Sequence, residues 1–431
     1  MVRRPRPSAA ALLATPLLAL AGCAGIFQRA RPAVAEAYAA TTPVPAGQLR
    51  VGSAERVITP AVGCYMGGFD IGRTSTGVLS PLKVRALVVE GGGRRVALVG
   101  IDNLGLLRED VDWIKRGLGG FAVGDVFVGA SHTHAGPDMI GLWGFYLMTS
   151  GRDRAYLALL REQVAAAVAE ARAGAVPAAF VRGEALLPPR GLVKNSNRAE
   201  VFDRRVTVLQ ARALADGRPV GTLLHLACHP EVLPRRNTGL SADYVGELCD
   251  EWQRRGHGQA VFLNGALGAM VSPAVRPRDL AGVQAMGGSL CDLAEQALAA
   301  ALPSPVAAIE VRRRDVYLPV ATLGFRLGRL TTVLQRELFS GCARSTVGWL
   351  RLGDFEAVAV PGEMEPALAA KVRAELGAPN LVLFGLCDDE LGYLMREQDA
   401  RDPEFAYERS MSVCVDAGER VRAAITGAAS R

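Results

Sequence analysis

Val126-Phe127-Val128-Gly129-Ala130 runs directly into Ser131-His132-Thr133-His134-Ala135-Gly136-Pro137. Five small or apolar residues closed by a Gly-Pro turn read as a buried strand. If the chain stays extended through the histidines, residues i and i+2 point to one face. Two imidazoles on one face at a strand end suit a divalent cation, Zn²⁺ first, and equally suit hydrogen-bonded core or surface histidines. The chain has only five histidines. His229, in Ala227-Cys228-His229-Pro230, ends a second strand-like run and offers a third nitrogen. His225 lies mid-strand and reads as a hydrogen-bonded core residue. His257, in Arg255-Gly256-His257-Gly258, reads as a solvated loop.

Outward from the pair, the body alternates between the two periods of regular structure. Val84–Val89 and Arg95–Val99 form a hairpin around Gly91-Gly92-Gly93. Tyr156, Leu160, Val164, Ala167, Val168 and Ala171 recur at helical spacing, which predicts a helix over 152–172. Strands are expected at 206–209, 222–227, 260–263, 355–360 and 381–384, and helices near 243–255, 280–301, 364–376 and 416–425. This is one α/β domain with no internal repeat and no linker after residue 48. Half of the 431 residues are apolar and 21% are charged, which excludes a disordered chain or a fibrous repeat. The net charge of +6 is spread among interspersed acids and bases, and no basic stripe for nucleic acid results. Met139 to Met148, with Trp143, Phe145 and Tyr146, reads as a buried segment rather than an acyl-chain groove.

The first residues read as a targeting segment. Arg3, Arg4 and Arg6 precede an apolar stretch of about a dozen residues, Ala9–Leu20, where spanning a bilayer needs ~20. Leu20-Ala21-Gly22-Cys23 resembles a bacterial lipobox. That implies a signal peptide over 1–22, a lipidated Cys23, a tether over 23–48 and a chain held on the bacterial envelope, on the outer membrane or its periplasmic face. The other seven cysteines form no Cys-x-x-Cys pair and read as buried thiols.

Several zinc-hydrolase layouts are excluded. No His follows Asp138 as a metallo-β-lactamase pattern requires, and there is no His-Glu-x-x-His, Gly-x-Ser-x-Gly or P-loop. Instead, a series of segments in order resembles the neutral/alkaline (non-lysosomal) ceramidases. They are Ile58-Thr59-Pro60 with Met66-Gly67-Gly68-Phe69, Pro81–Val88, Ser131–Pro137, Ala227–Pro230 with Ser241–Gly246, Pro361-Gly362-Glu363, Gly385–Asp388 with Gly392-Tyr393, and Tyr407-Glu408. The resemblance implies a single large mixed-sheet α/β catalytic domain over 49–431, without the C-terminal immunoglobulin-like domain of the long members. It implies one zinc held by His132, His229, Glu363 and Tyr393, with His134, Ser272 and Arg190 on the substrate side. It implies hydrolysis of the amide bond of an N-acyl lipid such as ceramide. The sequence departs from the family at Leu267–Ala274, where the family's Asp and final Asn are missing. That departure keeps open a second reading, an envelope lipoprotein that binds a lipid or protein partner without catalysis.

Overall fold

The computed structural model describes residues 36–146 and 149–429. The signal segment and Cys23 lie outside the described residues. Two sheets form the body. The larger has nine strands, eight of them in the order Ala260–Asn264, Pro219–Leu226, Arg205–Ala213, Val176–Leu186, Arg50–Val57, Lys83–Gly91, Arg94–Ile101 and Val126–Ala130. Its two outermost pairings are parallel and its inner ones antiparallel. The smaller sheet runs Ala37–Pro43, Ala308–Pro319, Cys342–Leu352, Phe355–Ala359 and Val382–Phe384, with Leu338–Phe339 beside the third.

The larger sheet curls until its ends meet. A Cβ added at Gly100 would lie 2.5 Å from the Phe262 carbonyl oxygen, and one at Gly129 would lie 2.6 Å from Leu263. Glycine is what permits strands Arg94–Ile101 and Val126–Ala130 to approach Ala260–Asn264 so closely. The helix Arg154–Ala173 covers one face with the stripe read from the sequence, and its six periodic residues are all buried. Asp153 caps its N-terminus by accepting from the Ala155 amide. Helices Asp243–Arg254 and Leu280–Ala299 pack on each other, and the second lies on Val176–Leu186.

Residues Ala37–Pro43, expected within the tether, are an edge strand paired antiparallel with Ala308–Pro319. Tyr38 and Thr42 lie on its half-buried face and Thr41 on its exposed one, as suits an edge strand, and Tyr38 donates to Asp125 at 2.8 Å. The body therefore begins before residue 49. Phe145 and Tyr146, expected to be buried, are exposed, while Met139, Ile140 and Trp143 are buried. Residues 147 and 148 of that segment lie outside the described residues.

The C-terminal ends of strands from both sheets converge, the usual place for a site in an open α/β sheet. A crossing segment binds them together. Gly385 donates to the Asn264 carbonyl at 2.9 Å, Ala130 to that of Leu386 at 3.1 Å and Asp388 to that of Val128 at 2.7 Å. Beneath it, Asp388 sits in a buried ion-pair cluster with Lys115 and Arg313.

Candidate metal centre

His132, His134 and His229 meet at this convergence, and one nitrogen from each lies within 4.8 Å of the others. Ring centroids are 5.1 Å apart for His132 and His134 and 5.0 Å for His132 and His229. The expected one-face geometry of an extended strand is not how they meet. The strand ends at Ala130, and His132 adopts φ 74°, a left-handed conformation that turns the chain. Amides hold that turn, with Ser131 donating to the Ile101 carbonyl and His132 to the Asn103 carbonyl, both at 2.8 Å. Strained backbone of this kind costs on the order of 1–3 kcal/mol and concentrates at functional sites.

Each of two histidines is oriented by a backbone carbonyl. His132 Nδ1 lies 2.6 Å from the Leu104 oxygen and His229 Nδ1 lies 2.8 Å from the Val271 oxygen. A carbonyl only accepts, so both Nδ1 atoms carry protons and both Nε2 atoms of the neutral rings present lone pairs. Those lone pairs face a carboxylate. His132 Nε2 is 3.6 Å from Glu363 Oε1, and His229 Nε2 is 3.0 Å from Glu363 Oε2. Acceptors turned toward one another require a proton or a cation between them. With the Leu104 and Val271 carbonyls fixing the tautomers, the donor set fits a divalent metal ion.

Glu363 and Tyr393 are direct register partners in a two-residue parallel pair, Glu363–Met364 with Tyr393–Leu394. Burial, then the Glu363 carboxylate, pushes the Tyr393 phenol well above its ordinary pKa. Its hydroxyl also lies 3.3 Å from Met270 Sδ. Burial opposes charge on Glu363, yet His132 and His229 hold it below the usual carboxylate range. Burial likewise opposes charge on His229, but Glu363 outweighs it and raises that pKa; at His132 burial dominates and lowers it.

His134 differs from the other two. Both its ring nitrogens are buried without a hydrogen-bond partner among the described residues. Burial, then the neighbouring His132 and His229, push its pKa far down, so the ring is neutral. Phe69 stacks edge-on at 4.6 Å. The Ser272 hydroxyl is also buried and has no partner among the described residues. Ser272 follows Val271, whose carbonyl oxygen accepts from both the His229 amide and ring. Ahead of it, Ala269 and Met270 both sit at φ 59°, two consecutive left-handed residues without glycine. The altered loop is thus strained where it meets the cluster.

The structure does not bring Arg190 to the cluster. It is exposed in the loop after Val176–Leu186 and bonds to no site residue. The arginines whose charge reaches His134 are Arg73 and Arg278. Arg73 is buried and donates to the carbonyls of Asn237, Gly67 and His134. Sequence reasoning missed both, and it missed Asn264. The Asn264 amide nitrogen donates to Ser131 O at 2.8 Å and Cys228 O at 2.9 Å, while its oxygen accepts from Cys228 N at 3.2 Å. One side chain thereby ties together the peptides just ahead of His132 and His229. His225 is buried against the Leu263 oxygen at 2.9 Å, as its mid-strand position predicts. His257 is not a free loop residue, since it stacks on Trp252 and pairs with Glu295 at 2.7 Å.

Two solved structures share this architecture. A neutral ceramidase from Pseudomonas aeruginosa superposes with a TM-score of 0.71, at 16% identity, over 89% of this chain and 74% of its own. The chain has the neutral ceramidase fold. A ceramidase complexed with C2 gives the same TM-score and identity over 89% of this chain and 75% of its own. No family model and no curated protein matches the sequence.

Proposed function

We propose that the chain is a metal-dependent amide hydrolase acting on N-acyl lipids, with ceramide as the nearest precedent. The carrying observation is the apposition of the His132 and His229 Nε2 lone pairs to the Glu363 carboxylate, at the strand ends of a ceramidase fold. His132, His229, Glu363 and Tyr393 would hold one Zn²⁺. When bound, the ion supplies Lewis acidity and lowers the pKa of water at the site. His134, neutral and outside this ligand set, donates from one ring nitrogen to the carbonyl oxygen as charge develops there. The Ser272 hydroxyl orients the water that adds to the carbonyl carbon. The C–N bond then breaks to give a carboxylic acid and an amine. Asn264, Leu104 and Val271 do no chemistry and hold the histidine peptides and tautomers.

The chain would act on the bacterial envelope, anchored through Cys23. Turnover of a panel of N-acyl sphingoids and N-acyl amino acids by the zinc-replete chain tests the reading. Release of fatty acid that stops on chelation supports it. A zinc-replete chain that cleaves none favours the lipid- or partner-binding lipoprotein, a reading to which the strained, altered loop at Ala269-Met270 lends weight.

A further inference from the structure

The helix Leu323–Leu330 carries an apolar face over which no described residue packs. Its inner face is anchored by Phe325, buried in a cluster with Leu334, Leu338 and Val413. Its outer face shows Leu323, Leu327 and Leu330 at 69%, 51% and 43% exposure. Spacing of i, i+4 and i+7 places the three on one stripe. Arg326, exposed, flanks the stripe and pairs with no carboxylate among the described residues, while Arg329 turns its Nε to the buried side beside Phe325, and no acidic residue occurs from Val316 through Arg336. Exposed leucines beside an uncompensated arginine on one short helix are costly in water and suited to a negatively charged apolar boundary.

A second exposed apolar element adjoins this helix. Leu142 packs at the same cluster and reaches Gly328, where an added Cβ would lie 4.0 Å from it. Three residues on, Phe145 and Tyr146 stand 72% and 66% exposed with ring centroids 6.4 Å apart. The same segment walls the histidine cluster. Trp143 Nε1 donates to the Phe69 oxygen at 3.1 Å, and the Phe69 ring stacks on His134.

We propose that Leu323, Leu327 and Leu330, with Phe145 and Tyr146, seat on an anionic phospholipid bilayer beside the histidine cleft. Charge favours this occupant over a second copy of the chain. A two-fold contact through the patch would bring the Arg326 side chains of both copies into one interface with no acid from 316–336 of either copy to offset them, whereas lipid phosphates neutralise them. The surface stands apart from the hydrolase reading. Docking without turnover would retire the reaction and leave the surface intact.

Amide hydrogen exchange of the full chain, carried in vesicles of phosphatidylcholine with or without phosphatidylglycerol, reads the contact directly, whether or not Cys23 already tethers the protein. Exchange in peptides covering 320–332 and 140–146 slows on vesicles relative to the detergent-held chain, and slows most with phosphatidylglycerol. Peptides from Leu280–Ala299, on another part of the surface, do not change. Arg326→Gln lowers the protection roughly five-fold, the usual contribution of one cation at an anionic surface. Leu327→Ser, at an exposed position, lowers it without changing the unfolding temperature. Equal exchange on vesicles and in detergent overturns the proposal, as does equal protection with and without phosphatidylglycerol. Protection that appears without vesicles and grows with protein concentration assigns the face to a second copy and overturns it too.

Discussion

Asn264→Ala removes a side chain that belongs to no ligand set yet governs two of the three clustered histidines. The Cys228 oxygen keeps a second donor, the Tyr244 hydroxyl at 2.8 Å. The Ser131 oxygen and the Cys228 amide have no other partner among the described hydrogen bonds. Two buried backbone groups are orphaned, at ~1–3 kcal/mol each, so the loss is about 2–6 kcal/mol. Metal affinity should fall as well, by roughly 10–100-fold, the usual range for partners that orient ligands. Asn264→Asp sharpens the argument. It is nearly isosteric and can still accept from Cys228 N, but it cannot donate to the Ser131 or Cys228 carbonyl and turns a buried charge toward both. Urea unfolding in the presence of chelator, followed by competition for zinc, measures the two effects separately. Asn264→Asp should be at least as destabilised as Asn264→Ala. An aspartate variant within about 0.5 kcal/mol of wild type, the range of an ordinary surface change, would refute the clamp.

Three further outcomes are expected. His134→Ala should keep its zinc and lose roughly a hundred- to a thousand-fold in kcat; zinc loss would make His134 a third imidazole ligand instead. His225 is pulled down to about 4 by burial, so the fold favours its neutral form. That contribution is complete above the unfolded pKa of ~6.5 and is lost as pH falls toward 4, by about 3 kcal/mol in all; across that window the unfolding free energy of wild type should fall by about that amount relative to His225→Phe. Cys23→Ser should release the chain from membranes or leave its signal uncleaved, and equal partition and size of both forms would defeat the anchor.

The histidine pair and the third histidine were legible because they interrupt apolar runs at strand ends, where little else explains them. How they meet was not legible, since the left-handed turn at His132 is held by carbonyl oxygens of Ile101 and Asn103, remote in sequence, which accept from the Ser131 and His132 amides. Glu363 and Tyr393 were reachable only through the ceramidase resemblance, and their cross-strand register is what sets them side by side. The long strand Ala308–Pro319 escaped the pattern for a specific reason. Arg313 points inward, 3.8 Å over the Phe127 ring and bonded to Asp388, so a buried charge stands where the strand period demands an apolar residue. Asn264 reads as the turn residue after a strand, and its two acceptors come from loops about 133 and 36 positions away.

Zinc content of the purified chain and of its ligand variants tests the central claim most directly. Elemental analysis should give about one zinc per chain in wild type, the expectation for a mononuclear four-ligand site. Binding should be lost or sharply weakened in His132→Ala, His229→Ala and Glu363→Gln, with a lower unfolding temperature in each, because metal binding is coupled to folding. Full zinc occupancy in all three variants would contradict the account.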